Sequence, residues 1–201
     1  MTMDRRQFLK KTAGSALGFG LLLGFMGGVE KERPNYLLPE WDRRGLIRPP
    51  GSVAETAFLA RCIRCTRCAE VCQAGAIRLF GKGSGKHQGT PFILPEETAC
   101  TLCLSCGAAC PTGAIEPLSE MTEARMGTAV VDERLCVSHN GSGICGACFT
   151  ACPLKGRAIR QGQHNRPTVD PEQCVGCGLC EDACIVKENK AIRVFSRRRF
   201  A

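Results

Sequence analysis

Cys62-Ile63-Arg64-Cys65-Thr66-Arg67-Cys68-Ala69-Glu70-Val71-Cys72 is the stretch on which the reading of this chain turns. Its four cysteines follow the spacing C-x2-C-x2-C-x3-C. The spacing returns at Cys100, Cys103, Cys106 and Cys110, followed by Pro111, and again at Cys174, Cys177, Cys180 and Cys184. A further copy is stretched at its start, with Cys136 eight residues ahead of Cys145, Cys148 and Cys152, and Pro153 behind. All 16 cysteines of the 201 residues belong to these four groups, so none is left for another role.

Working outward, the repetition continues past the cysteines. After each fourth cysteine comes a short apolar run: Gly75-Ala76-Ile77-Arg78, Gly113-Ala114-Ile115-Glu116, Arg157-Ala158-Ile159-Arg160 and Lys190-Ala191-Ile192-Arg193. Ala129-Val130-Val131-Asp132 and Pro167-Thr168-Val169-Asp170 lead through polar turns into the third and fourth groups. These flanks read as short strands, and the residues between the third and fourth cysteines as part of a short helix. The module is therefore strand, turn, cysteine loop, helical turn, strand. One such module is too small to bury its own apolar face, so modules must pair. Between modules, Gly81 to Gly89 and Ser119 to Gly127 read as polar connectors.

The spacing implies [4Fe–4S] clusters, one per group. Three cysteines at two-residue intervals wrap one cluster, while the fourth, displaced along a helical turn, points to a neighbouring cluster, as in bacterial two-cluster ferredoxins. Structural zinc sites instead use C-x2-C pairs separated by a longer loop. A disulfide framework suits C-x2-C-x2-C on one loop badly, because the sulfurs cannot pair with good geometry. In the stretched group the Gly-rich insertion returns Cys136 to its expected place. His139 within it reads as a solvent-facing loop residue, and His87 and His164 as loop residues without assignment.

Aromatic residues are only 5% of the chain and glycines number 23, so a large aliphatic core is not expected and metal ligation must help hold the fold. No nucleophile–base pair, phosphate loop or open metal site is visible; the chemistry expected is electron transfer rather than catalysis. The formal charge is +8. Arg197-Arg198-Arg199 reads as a solvated tail and not as a nucleic-acid site. Arg61, Arg64 and Arg67 make the first group basic, whereas Glu181 and Asp182 stand in the fourth. The arginines either raise the potential of the first cluster, or point to solvent or dock an acidic partner. Gly107, Gly146, Gly176 and Gly178 are expected to let backbone approach the clusters.

Residues 1–30 read as an export signal. Asp4-Arg5-Arg6-Gln7-Phe8-Leu9-Lys10 resembles the twin-arginine motif, and Thr12 to Val29 is uncharged and rich in Gly and Leu. That route, through the Tat translocase, carries proteins already folded around cofactors, and it explains how an exported chain keeps its thiols from pairing. The expected location is periplasmic, with the uncleaved segment or a partner as a possible membrane tether. Residues 31–57, with Pro34, Pro39, Pro49 and Pro50, read as an extended linker, and 58–201 as the four-cluster domain.

The chain resembles the NapG/MauM family of exported ferredoxin-type proteins. The resemblance is carried by Arg48-Pro49-Pro50-Gly51, Phe58-Leu59-Ala60-Arg61-Cys62-Ile63-Arg64-Cys65, Gly89-Thr90-Pro91-Phe92, Ala124-Arg125-Met126-Gly127 and Cys174-Val175-Gly176-Cys177-Gly178-Leu179-Cys180-Glu181. Gln73, where Pro is more usual, is a departure. The resemblance implies an α+β fold of tandem ferredoxin-like modules in two pseudo-twofold pairs, like the electron-transfer subunits of molybdenum oxidoreductases. It implies electrons received from a membrane-bound quinol-oxidising iron–sulfur protein and passed toward a cytochrome or a periplasmic reductase. A maturation role beside methylamine dehydrogenase, and an iron–sulfur subunit of a molybdenum oxidoreductase, are the other roles it implies. It further implies first-with-fourth and second-with-third pairing. Cys184 would then join Cys62, Cys65 and Cys68, and Cys72 would join Cys174, Cys177 and Cys180. Cys110 and Cys152 would exchange between the middle groups. The spacing itself equally permits the first group to pair with the second.

Overall fold

The computed structural model describes residues 45–198, which lie within one compact unit. The twin-arginine segment, and the expected linker up to residue 44, lie outside the described residues. Five short helices and six short strands are present among those described. The helices are α1 (Glu55–Arg61), α2 (Arg67–Glu70), α3 (Ser105–Ala109), α4 (Ala147–Ala151) and α5 (Leu179–Asp182). The strands are β1 (Ile77–Leu79), β2 (Pro91–Ile93), β3 (Gly127–Val131), β4 (Ile159–Gln161), β5 (Pro167–Val169) and β6 (Ile192–Ser196).

Strand pairing sorts the modules into two halves. In the second half β4 and β5 form an antiparallel hairpin, and β3 pairs antiparallel with β6 from Gly127↔Ser196 to Val131↔Ile192. The third and fourth cysteine groups lie between β3 and β6 in the chain. In the first half β1 and β2 form the equivalent hairpin. Its outer ribbon shrinks to a single antiparallel bridge, Ser52↔Ile115, flanked by Val53 N–H to Ala114 O and Glu116 N–H to Gly51 O. The sequence supplies the reason. Pro49 and Pro50 precede the bridge on one side and Pro117 follows it on the other, and proline has no N–H to extend a ladder. β3 and β6 carry no proline and several β-branched residues.

Each half is sealed by its Ala–Ile pairs. Ala76 and Ile77, Ala114 and Ile115, Ala158 and Ile159, and Ala191 and Ile192 are all buried. Buried cysteines join them in one continuous core with Phe58, Met126 and Val194. Leu46, Phe80, Phe92 and Leu94 form a smaller cluster beside it.

Residues 45–57, expected to belong to an extended linker, are instead packed into the domain. Leu46, Ile47 and Arg48 are buried, and the side chain of Arg48 is fully covered. Its guanidinium grips Glu55 with two nitrogens, Nε at 3.1 Å and Nη2 at 2.6 Å. Nη1 donates to Thr90 Oγ1 at 2.9 Å and to the Pro91 carbonyl at 2.5 Å. The ring of Phe58 lies 4.3 Å beneath it and His87 Nδ1 is 3.2 Å from Nη2. A buried cation is tolerated only when paired and hydrogen-bonded in this way. The arrangement pulls the connector of residues 81–89 inward. Gly85–His87 forms a 3-10 turn, Ser84 is buried, and His87 is only 3% exposed, so this segment is folded structure and not a free polar loop.

The C-terminal arginines are likewise not a solvated tail over the described residues. The Arg198 guanidinium donates to the carbonyls of Ser52 and Val53, and Ser196 Oγ donates to Leu46 O at 2.6 Å. Arg197 reaches Thr128 Oγ1 at 3.1 Å and the Cys174 carbonyl at 3.2 Å. The end of β6 thus ties the second half to the first residues of the first half.

Candidate metal centre

The third cysteine of every group sits on a short helix, and the fourth follows one turn later. Cys68 lies on α2, Cys106 on α3, Cys148 on α4 and Cys180 on α5. Ahead of three of these helices the backbone is left-handed at two alternate positions. Arg64 and Thr66 have φ of 59° and 66°, Leu102 and Leu104 of 59° and 61°, and Gly176 and Gly178 of 72° and 87°. For a non-glycine residue this conformation costs about 1–2 kcal/mol. Four such residues persisting in two cysteine loops mark a tight winding that tertiary contacts enforce. Such winding turns successive N–H groups toward one side and builds an anion-binding concavity. Leu102 N–H, for instance, approaches Cys100 Sγ at 3.4 Å.

The loops enclose four quartets of sulfurs, each made of three cysteines from one group and the fourth cysteine of its partner. Cys62, Cys65, Cys68 and Cys110 line one cavity. Cys136, Cys145, Cys148 and Cys184 line another. Cys152, Cys174, Cys177 and Cys180 line a third. Cys72, Cys100, Cys103 and Cys106 are the four cysteines that remain, and they make up the last quartet; besides burial, Cys72 and Cys103 both raise the pKa of Cys100, while Cys106 feels Cys68 of the neighbouring quartet as well as Cys100 and Cys103. The first group therefore pairs with the second and the third with the fourth. This corrects the first-with-fourth and second-with-third pairing that the family resemblance implied. Cys184 joins the third group and not the first, Cys72 the second and not the fourth, Cys110 the first and Cys152 the fourth.

The insertion after Cys136 folds back on itself. Ser138 Oγ accepts the Cys145 N–H at 2.9 Å and donates to the Cys145 carbonyl, closing the loop so that Cys136 comes level with Cys145 and Cys148. His139 is half-buried rather than solvent-facing. Its Nε2 lies 3.0 Å from the Pro167 carbonyl and its Nδ1 3.9 Å from Glu133, and it does not line the quartet's cavity. His164 is an exposed loop residue with φ of 55°. Gly176 lines its quartet's cavity, yet a Cβ there would stand 2.3 Å from the Gly127 backbone. That glycine serves strand packing as well as the cavity wall.

The donor set fits iron–sulfur clusters. The walls of the three cavities are mostly apolar, and cysteine is the one metal-ligating side chain that lines them. No three His, Cys, Asp or Glu side chains among the described residues gather closely enough to hold one ion. Zinc would draw its sulfurs to within ~2.3 Å of a single point. Burial pushes the Cys106 and Cys177 thiols up to about 12, and Cys68, Cys100 and Cys148 to about 11. Neighbouring cysteines add to the rise. At exposed Cys103 the Ser105 N–H stabilises the thiolate and lowers its value. Buried, mutually repelling sulfurs of this kind are stable as anions only around a cationic core.

Comparison with known proteins agrees. A 4Fe–4S dicluster domain matches residues 61–114, 99–156 and 144–187. The first match coincides with the first structural half and the last falls within the second, while the middle one straddles them. Ferredoxin-type protein NapG of Escherichia coli (strain K12) is 34% identical over 94% of this chain and 84% of its own length. The NapG of Haemophilus influenzae is 34% identical over 92% of this chain and 69% of its own. The methylamine utilization ferredoxin-type protein MauM of Methylobacillus flagellatus is 39% identical over 76% of this chain and 69% of its own. The cysteine quartets, the dicluster matches and these likenesses together place the chain in the NapG and MauM family of 4Fe–4S ferredoxin-type proteins.

Proposed function

We propose that the four quartets hold four [4Fe–4S] clusters and that the chain relays single electrons through them, without substrate chemistry of its own. When bound, such clusters take up and release one electron at a time at potentials set by charge, exposure and N–H donors to sulfur. The chain's part is to space, bury and hydrogen-bond them. The observation that carries this reading is the continuity of the quartets. Crossed cysteines join first to second and third to fourth. The backbone of Cys100 meets that of Cys177, N–H to carbonyl, at 2.9 Å. The order along the relay is then first, second, fourth, third.

The electrons are taken from a membrane-bound quinol-oxidising iron–sulfur protein and passed toward a cytochrome or a periplasmic reductase such as nitrate reductase. Export folded by the Tat translocase, on the Arg5-Arg6 motif, would place the chain in the periplasm, held at the membrane by its N-terminal segment or by its partner. The NapG likeness and the inward-facing cysteine chemistry support this. The MauM likeness, of similar strength, supports a second reading, redox service during maturation of a periplasmic dehydrogenase. Purification from membranes, with iron, sulfide and partner analysis, tests both. Roughly 16 irons per chain and copurification with a quinol-oxidising partner are expected; a partner confined to dehydrogenase assembly would favour the second reading.

A further inference from the structure

The two ends of the quartet series present different surfaces. Over the first quartet Ile63 is 62% exposed beside Cys62, and Cys65 is exposed with it. Arg61, Arg64 and Arg67 flank Ile63 along the chain, and all three are exposed. Arg64 is bent over Gly89, its Nε donating to the Gln88 carbonyl at 2.8 Å. It holds a φ of 59°, which a glycine would adopt without cost, so a long cation occupies the position despite strain. The acidic groups nearby are Glu116, 3.7 Å from Arg61, and Glu70, which accepts the Thr66 hydroxyl at 2.7 Å, so the three arginines outnumber them. At the far end Ile144, 71% exposed, and Ile185, 54% exposed, flank the third group's quartet. Residues 137–151 there contain no Lys, Arg, Asp or Glu.

We propose that Ile63 and the arginines Arg61, Arg64 and Arg67 form the docking face for an acidic one-electron redox protein, which exchanges electrons with the first quartet. This rests on the relay reading above. An exposed apolar residue among cations supplies desolvated contact, and the cations steer an oppositely charged partner and speed its arrival. A carrier protein fits the position better than a lipid surface, because Ile63 and the exposed Cys65 both line the cavity of the first quartet.

Holoprotein, reduced with dithionite, would be mixed in stopped flow with oxidised plastocyanin, which is acidic, or with oxidised cytochrome c, which is basic. One electron leaves the protein and one enters the probe, copper(II) becoming copper(I) or haem iron(III) becoming iron(II), and no bond is made or broken. The acidic carrier should react about tenfold faster at low salt, with the advantage lost at high salt. Replacing all three arginines by glutamine should remove that advantage, whereas Arg134→Gln, Arg157→Gln and Arg160→Gln together, an equal charge change elsewhere, should keep it. Ile63→Glu should slow plastocyanin about tenfold, and Ile144→Glu should not. Calorimetry of the fully oxidised pair should show binding lost in the same variants. Equal, salt-independent rates with the two carriers would overturn the docking face and leave the relay standing. No transfer to either carrier from iron-loaded protein would overturn the relay itself. Wild-type protein that cosediments with phosphatidylglycerol vesicles through these arginines, with no preference between carriers, would overturn the proposal in favour of a lipid surface.

Discussion

The N–H of Cys100 donates to the carbonyl of Cys177 across 2.9 Å, joining the second cysteine group to the fourth. Nearby, Met126 N–H donates to Val175 O at 3.0 Å, and the Cβ position of Gly178 is pressed against Pro95. The second and fourth cysteine groups are therefore in direct backbone contact, one from each half.

Crossed ligation has a direct test in single serine variants. Cys110→Ser should deplete the cluster held by Cys62, Cys65 and Cys68, and Cys184→Ser the one held by Cys136, Cys145 and Cys148. Iron analysis should show a loss of up to about four irons per chain in each variant, and EPR should show a different signal altered in each. Identical spectral changes in both variants would contradict the quartets assigned here.

Removing one member of the buried Arg48–Glu55 pair should be severe. Arg48→Met leaves Glu55 uncompensated and frees Thr90 and the Pro91 carbonyl, for an expected loss of about 3–5 kcal/mol in denaturant unfolding. Arg48→Lys should rescue only part of that, since an ammonium cannot reproduce the two-nitrogen grip.

Gly51 is required twice over. Its φ is +82°, and a Cβ would stand 2.1 Å from the Glu116 carbonyl oxygen across the Ser52↔Ile115 bridge. Gly51→Ala should destabilise by roughly 1–3 kcal/mol, read as a lowered thermal midpoint of the holoprotein.

His87 makes stability depend on acid. Burial, and then the neighbouring Arg48 cation, lower its pKa below the ordinary 6.5, although Glu55 opposes them. The unfolded chain thus binds a proton more readily than the folded one. The contribution is fully present above about pH 6.5 and is lost as pH falls below it toward the depressed value. Unfolding measured from pH 7.5 to 5 should show this slope in the wild type and a shallower one in His87→Asn.

Much of the fold was legible because it repeats. The cysteine groups fixed four modules, and the Ala–Ile pairs marked their strands, with Ile77, Ile159 and Ile192 all falling in ladders. Ile115 does so only through one bridge, because Pro117 ends its own segment and Pro49 and Pro50, far off in the chain, end the segment it pairs with.

By itself the sequence determined how many sulfurs there are, what metal chemistry they suit and where each loop and helical turn falls, since these depend on spacing along a few neighbouring residues. Only the tertiary structure decided which fourth cysteine meets which loop, because identical spacing lets any module pair with any other and the choice lies in strand ladders between distant segments. The same holds for Arg48 and Arg198. A proline-rich segment and a basic tail look solvated along the chain, and they become packed struts, Arg48 buried and Arg198 partly so, only when Glu55, Thr90 and the Ser52 carbonyl arrive from elsewhere.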